Sequence, residues 1–206
     1  MTLFNEQQLI TQFSRLNRKL YAQAKNPLPT HGPEHHLRVC KNAIKLARNY
    51  KVDYEVLIPA CLLHDLGAYY PDVAKDKYHE EDKERTIKAL RGVKLSDEKK
   101  RRIVEAVAKH GSDPKYRRKS EPIEITILRD ADKMEAFGPI GVARIIAVRT
   151  MRGDTLQKIV KDFYTRGHLK RKWEAIALPE SKKLVKKDYQ YSMRFFADLA
   201  KKLPLI

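Results

Sequence analysis

A short apolar stretch that ends in a histidine and an aspartate constrains the fold of this chain most strongly. It runs from Ile58 to Gly67 and reads IPACLLHDLG. Asp53 can cap a helix over this region, and glycine is the usual residue just after a helix end. Because an imidazole and a carboxylate beside an apolar helix are costly to bury without partners, His64 and Asp65 are the first candidates for metal ligands.

Apolar residues recur at helical spacing along almost the whole chain, which predicts an all-α fold. Residues 123–127 alternate as a strand would, but the pattern that follows them is helical, so this segment is assigned to a helix. A polar loop is expected over residues 68–79 and a short basic helix after it. The other helices are expected at residues 5–24, 34–50, 53–67, 96–110, 122–137, 140–152 and 181–203.

The chain of 206 residues is long enough for one sizeable core, and we expect a single domain. Its core would span about residues 5–150, followed by a basic helical extension over 151–206. The start of the chain lacks the pattern of a signal peptide, and apolar runs are too short for a membrane span, which predicts a cytoplasmic protein without a membrane partner. The sequence does not predict the oligomeric state.

The net charge of +17 is concentrated in two segments. Residues 83–119 carry 14 lysines and arginines against 5 acidic residues, and residues 151–206 carry 14 against 6. A basic surface attracts anionic ligands and speeds their arrival. The charge therefore predicts an anionic ligand, and by itself it does not distinguish a small molecule such as a nucleotide from a nucleic acid or a membrane surface.

Helical phase narrows the set of polar residues that can face a buried site. His35 and His36 both fall near the inner face of their helix, so phase alone does not choose between them. Asp132 lies four residues after Leu128 and shares its side, whereas Asp130 is expected to point the opposite way. The inward carboxylate predicted from phase is therefore Asp132.

Two imidazoles and two carboxylates form a mixed nitrogen and oxygen ligand set. Such a set suits a divalent transition metal, with Mn²⁺ first and Fe²⁺, Co²⁺, Ni²⁺ or Zn²⁺ as alternatives. His79 and His110 could bind a second metal or a phosphate, or transfer a proton. His110 ends its helix, where the helix dipole favours the protonated form of an imidazole and suits it to donate a proton to a leaving group.

Three segments resemble one known family, the HD-domain metal-dependent phosphohydrolases. The segment 35–39, HHLRV, is similar to the family's opening H-x-x-R-V, and 60–67, ACLLHDLG, is similar to A-x-L-L-H-D-[IL]-G. The segments 130–138, DADKMEAFG, and 140–144, IGVAR, resemble a stretch of one soluble subgroup of the family. The resemblance spans roughly residues 31–150 and points to His35 over His36.

The resemblance implies an HD-domain helical bundle and an activity on phosphoester or phosphoanhydride bonds. It implies metal ligation by His35, His64, Asp65 and Asp132, with His79 and His110 at positions where that subgroup also has histidines. Arg38, Lys133 and Arg144 are candidates for substrate binding, each with the alternative of orienting a nearby acid.

The expected substrate is a nucleotide, cleaved by a nucleotidase or a nucleoside-triphosphate pyrophosphohydrolase. After His64-Asp65 the chain has Gly67-Ala68, where cyclic-dinucleotide phosphodiesterases usually have Gly-Lys. This difference argues against a cyclic-dinucleotide substrate. The alternative function is a nucleic-acid-binding HD protein, or a nuclease or phosphodiesterase, that uses the basic extension at 151–206.

Overall fold

The structure is a computed structural model that describes residues 5–25, 27–70, 78–111 and 121–203, except for the side chains of Tyr78 and His79. Within these residues every regular element is a helix, and turns and loops join the helices. This confirms the predicted all-α class. The α-helices are α1 (Glu6–Gln23), α2 (Pro33–Ala47), α3 (Tyr54–Leu63), α4 (Tyr78–Leu90), α5 (Asp97–Lys109), α6 (Ile123–Met134), α7 (Gly138–Met151), α8 (Leu156–Val160), α9 (His168–Glu174) and α10 (Pro179–Lys202).

Polar side chains fix the start of several helices. Asn5 Oδ1 accepts a hydrogen bond from Gln8 N at 3.1 Å, and Asp53 Oδ1 accepts one from Glu55 N at 3.0 Å. Ser96 caps α5 in the same way. Each of these bonds satisfies a backbone donor that the first turn of a helix leaves without an intrahelical partner. These helix starts follow directly from the sequence.

The helix expected over 53–67 is shorter than the sequence suggests. α3 ends at Leu63, and a 3-10 turn over Leu66–Tyr69 replaces its last part. The end of the loop expected over 68–79 is also corrected, because α4 begins at Tyr78; residues 71–77 of that loop lie outside the described residues. This early end of α3 takes the His-Asp dyad out of the regular helix.

The chain divides into two compact units, Met1–Ala131 and Asp132–Ile206. The division lies inside α6. In the first unit α3 packs against α1, α2 and α5. Residues 56–63 of α3 are all buried, and replacing a leucine such as Leu62 with alanine would cost about 2–5 kcal/mol.

The second unit is organised around α10, which packs against α7, α8 and α9. Two glycines at the start of α7 are required by the backbone. Gly138 has a φ of 74°, and its N–H donates to Ser192 Oγ at 2.9 Å. A Cβ at Gly141 would lie 2.3 Å from the carbonyl carbon of Ala136, so a larger residue does not fit.

None of the helices within the described ranges combines the length and the apolar character that a membrane crossing requires.

Candidate metal centre

Two histidines of the first unit lie at helix ends and are held in the same way. His64 is the C-cap of α3, and its Nδ1–H donates to the carbonyl of Cys61 at 2.8 Å. His110 is the C-cap of α5, and its Nδ1–H donates to the carbonyl of Val107 at 2.5 Å. Because each Nδ1–H is engaged by a backbone carbonyl, Nε2 is the ring nitrogen that faces the site.

The Nε2 atoms of three buried histidines converge on the carboxylate of Asp65. Oδ2 lies 3.5 Å from His35 Nε2 and 3.4 Å from His64 Nε2. Oδ1 lies 3.3 Å from His110 Nε2, and the Nε2 atoms of His35 and His64 are 3.3 Å apart. We call His35, His64, Asp65 and His110 the histidine centre. The two oxygens of Asp65 therefore face different histidines.

The charge state of Asp65 follows from its neighbours. Burial would raise the pKa of this carboxyl group, but His64, His110 and His35 together hold the pKa well below its ordinary value. Asp65 is therefore ionised across the neutral range. An ionised carboxylate beside ring nitrogens is the donor chemistry that a divalent transition metal prefers.

The structure distinguishes His35 from His36, a choice that helical phase alone leaves open. Both rings are buried, but no ion pair joins His36 to Asp65 among the described residues, and the His36 Nδ1–H donates to the carbonyl of Gly32 at 3.1 Å. The His36 and His64 ring centroids are 4.7 Å apart. Burial, and then the charges of His64 and His35, lower the pKa of His36, so it stays neutral and packs behind the histidine centre.

Asp82 belongs to the same region, and the sequence analysis does not select it. It is buried on α4, and its Oδ1 accepts a hydrogen bond from Gly67 N at 2.6 Å. Burial, and then the charge of Asp65, raise the pKa of Asp82 to about 8. The sequence gives little signal for it, because only Leu90 is apolar among the residues that share its buried side of α4 at spacings of four.

The structure gives less detail for two other candidates of the first unit, His79 and Arg38. The backbone of His79 is in the first turn of α4, but its side chain lies outside the described residues. Arg38 is half-buried on α2, three residues after His35, which is close to one helical turn.

Asp130 and Asp132 of α6 differ in their burial. Asp130 is completely buried, whereas Asp132 is only partly buried. Residues 127–131 of α6 are all buried, so this part of the helix has no solvent face. Burial alone therefore does not choose between the two carboxylates, and Asp132 stays the inward carboxylate that phase predicts.

In the second unit, basic groups surround Asp132. Lys133 is buried on α6, and Arg144 Nη1 on α7 donates to the carbonyl of Glu135 at 3.4 Å. The pKa of Lys172 is lowered, mainly by burial. The charge of Asp132 acts to raise this pKa, and the charge of Arg144 acts to lower it. Lys172 is a basic neighbour of Asp132 that the sequence analysis does not select, because it lies outside the motif segments.

The donor set of the first unit fits a divalent metal ion. His35, His64 and Asp65 each offer one ligand atom, and these atoms lie within 4.8 Å of one another. A second group, Asp65, Asp82 and His110, meets the same criterion. Nε2 of His64 is fixed by the bond that its Nδ1–H makes to a carbonyl, which is the usual way that proteins orient a metal-binding imidazole. This His/Asp centre can therefore hold a divalent metal ion.

Comparisons with solved structures identify the fold. Bacillus subtilis YpgQ, in complex with ADP, is 19% identical, with a TM-score of 0.69 over 97% of this chain and 98% of that chain. A Lactobacillus plantarum protein is 18% identical, with a TM-score of 0.73 over 95% of this chain and 96% of that one. A predicted HD superfamily hydrolase from an uncultured Thermotogales bacterium is 18% identical, with a TM-score of 0.64 over 97% and 99% of the two chains.

The family is shown by sequence as well. The model of the HD domain matches residues 33–136, which is half of the chain. This range begins at α2, includes the whole histidine centre and ends just beyond α6. A comparison with curated proteins finds no match. With its family match and its His/Asp centre, the chain belongs to the HD-domain family of metal-dependent phosphohydrolases.

Proposed function

We propose that this phosphohydrolase acts on nucleotides, as a nucleotidase or a nucleoside-triphosphate pyrophosphohydrolase. The observation that carries the proposal is the convergence of three histidine Nε2 atoms on an ionised Asp65. The nucleotide is supported by the similarity to YpgQ, whose structure contains ADP, and by the net charge of +17, which favours anionic ligands.

The proposed ligands of the metal are His35, His64, Asp65 and Asp132, and the proposed metal is Mn²⁺. The mixed nitrogen and oxygen donors support a transition metal of this kind. The chemistry that such an ion supplies is polarisation of a phosphoryl oxygen and activation of water. The assignment of Asp132 rests on the motif resemblance.

His110 is proposed to move a proton. Its Nδ1–H is engaged by the carbonyl of Val107, so only Nε2 is available, and it lies 3.3 Å from Asp65 Oδ1. A histidine held at this position can take a proton from the attacking water or give one to the leaving oxygen. His79 is proposed to share this role, on the basis of the motif resemblance.

Basic side chains are proposed to bind the substrate phosphates. Arg38 lies close to one turn from His35 on α2. In the second unit, Lys133, Arg144 and Lys172 place positive charge around Asp132. Guanidinium groups can bind phosphate oxygens in pairs, and a partly desolvated lysine adds a compact positive charge.

The test is a release assay on purified protein with a panel of ribo- and deoxyribonucleoside mono-, di- and triphosphates. Mn²⁺, Co²⁺, Ni²⁺ and Mg²⁺ are added separately, and phosphate and pyrophosphate are measured separately. We expect metal-dependent turnover of at least one nucleotide. Release of pyrophosphate would identify a pyrophosphohydrolase, and release of phosphate from monophosphates would identify a nucleotidase.

His64→Ala tests the centre, and His168→Gln is the matched control because His168 lies on α9, in the other unit. Turnover should be lost in the first variant and kept in the second. Absence of turnover on every nucleotide, in wild-type protein shown to contain metal, would contradict the nucleotide assignment. Equal turnover in His64→Ala and wild type would contradict the site.

A further inference from the structure

The pair α4 and α5 forms an open groove on the first unit, formed by residues other than those of the histidine centre. The groove has a volume of about 690 Å³. Its floor is apolar, and Ile87 at this floor is 42% exposed. The basic side chains that line it are Lys83, Arg91, Lys100, Arg101 and Lys109. We call this surface the α4–α5 groove.

The cations that line the groove differ from the other cations of the same two helices. Away from the groove, every basic residue of α4 and α5 has an acidic partner: Arg85 pairs with Glu81, Lys88 with Glu84, Lys99 with Glu55, and Arg102 with Asp53 and Glu124. In the groove only Lys109 is paired, with Glu105.

The remaining four groove cations have no acidic partner among the residues that the structure describes. They are Lys83, Arg91, Lys100 and Arg101. Positive charge that is left uncompensated on one face of this helix pair, beside an exposed apolar floor, is typical of a binding surface.

The spacing of these cations selects the form of the ligand. Lys83 and Arg91 are eight residues apart along α4 and its end, and Lys100 and Lys109 are nine residues apart on α5. At a rise of about 1.5 Å per residue, each edge of the groove carries charge over about 12–14 Å. A nucleotide concentrates its charge at one end, whereas an acidic helix carries carboxylates along both of its flanks.

The apolar floor argues against a nucleic acid as the occupant. Phosphate backbones bind positively charged grooves, and bases need aromatic platforms or polar readers. The floor residues Ile87, Leu90, Val104 and Ala108 are aliphatic and match a stripe of leucine-like side chains at helical spacing. The groove also contains Asp97 and Glu105, but its basic side chains outnumber these acids, so the lining is positive overall. A positive lining around an aliphatic floor is complementary to an acidic helix with an apolar stripe.

We propose that the α4–α5 groove is a docking site for an acidic amphipathic helix of another protein. The helix lays an apolar stripe on the floor and directs glutamate or aspartate side chains to the basic residues on both edges. This surface is separate from the proposed nucleotide chemistry, so either assignment stands or fails without the other.

The probe is a fluorescein-labelled helical peptide of about three turns, with leucines along one stripe, glutamates on both flanks and alanines elsewhere. Fluorescence anisotropy with the full-length protein measures binding. We expect saturable binding of this peptide, and binding at least about tenfold weaker for a peptide of the same composition with its stripe dispersed. Equal affinity for the two peptides would overturn the proposal, because charge alone would then explain the binding.

Charge reversal tests the edges. Lys100→Glu combined with Arg101→Glu should weaken peptide binding at least about tenfold. The matched control, Lys41→Glu combined with Lys45→Glu, makes the same charge change on exposed positions of α2 and should leave affinity within about twofold. Equal loss in both double variants would overturn the proposal in favour of a general charge effect.

Ile87→Gln tests the floor without reversing a charge, and the exposure of Ile87 makes the change compatible with folding. Peptide affinity should fall several-fold while the thermal unfolding curve stays unchanged. If this variant binds the peptide as wild type does, the apolar floor is not a contact and the proposal fails. Displacement of the peptide by a single-stranded oligonucleotide of equal net charge would assign the groove to nucleic acid instead.

Discussion

Ionisable side chains form a cluster in each unit, and the two clusters compensate their charges in different ways. In the second unit, Arg149 donates through Nε to Asp154 and through Nη2 to Asp162, the latter at 2.6 Å. Lys158 and Arg166 add further cations to the same carboxylates. We call Arg149, Asp154 and Asp162 the Arg149 cluster. Each carboxylate of this cluster is therefore paired with basic side chains of the same chain.

The histidine centre of the first unit brings three ring nitrogens to one carboxylate. His64 and His110 use their Nδ1–H groups on backbone carbonyls, and their Nε2 atoms face the Asp65 carboxylate. The Nε2 atoms of His35 and His64 are 3.3 Å apart. The Arg149 cluster therefore contains the cations that match its carboxylates, whereas the histidine centre presents ligand atoms that can hold a metal ion.

The largest expected effect is that of Asp65→Asn, which keeps the shape of the side chain and removes its charge. Loss of metal catalysis is worth several kcal/mol, so we expect turnover to fall about a thousandfold or more. Metal content, measured on the purified protein by mass spectrometry, should fall in parallel. The carboxylate would have no role in the centre if metal content and turnover both remained at the wild-type level.

The control for this change is Asp97→Asn, an identical substitution at an exposed first-turn position of α5. It should leave metal content and turnover unchanged. A similar loss in both variants would show that the assay reports general damage to α5 or its surroundings, and not the histidine centre.

The next largest effect is expected at Asp82, which holds the backbone of Gly67 close to the dyad. Asp82→Ala removes the acceptor of the Gly67 N–H, and metal affinity should fall about 10- to 100-fold, as for other residues that orient ligands. Asp82→Asn keeps an acceptor oxygen and should recover most of the affinity. Titration with Mn²⁺ measures both, and an equal loss in the two variants would show that the bond to Gly67 N does not sustain the metal affinity.

Added metal should stabilise one cluster and not the other. A ligand at a hundredfold excess over its Kd stabilises the native state by about 2.7 kcal/mol, which corresponds to a rise in Tm of roughly 5–10 °C. We expect this rise with Mn²⁺ in wild type and in Arg149→Met, and its absence in His64→Ala. If the rise in Tm with Mn²⁺ were lost in Arg149→Met, the metal would bind at the Arg149 cluster and not at the histidine centre.

The fold was largely predictable because helix signals are local. Caps such as Asp53 and Ser96, together with apolar spacing, give the starts of helices within a few residues. The early end of α3 was not predictable, because the 3-10 turn after His64 depends on the bond between Gly67 N and Asp82, which are far apart in sequence.

The candidate site was predictable only in part, for a physical reason that differs between residues. His64 and Asp65 follow from the cost of burying polar groups beside an apolar helix. His35 and His36 are adjacent and both buried, so only their hydrogen bonds distinguish them. Asp82 directly follows the acidic first turn of α4, where solvated charges are common, and only the packing of α4 shows that it is buried.

The smallest expected effect is that of Arg149→Met, which removes the shared cation of the Arg149 cluster. We expect Tm to fall by about 2–4 °C near neutral pH. Bonds from Lys158 and then Arg149 lower the pKa of Asp154, and the bond from Arg149 lowers the pKa of Asp162. Because these native pKa values lie below the ordinary value of about 4, the stability they provide is complete above that pH and is lost as the pH falls through the lowered values.

The difference in Tm between wild type and Arg149→Met should therefore be constant from neutral pH down to about pH 4 and shrink below it. Differential scanning calorimetry at a series of pH values measures this. Arg152→Met, at an exposed position after α7, is the matched control and should give no pH-dependent difference. A difference that grew as the pH fell would mean that the two carboxylates do not depend on Arg149 for their charge, and the contrast between the two clusters would no longer hold.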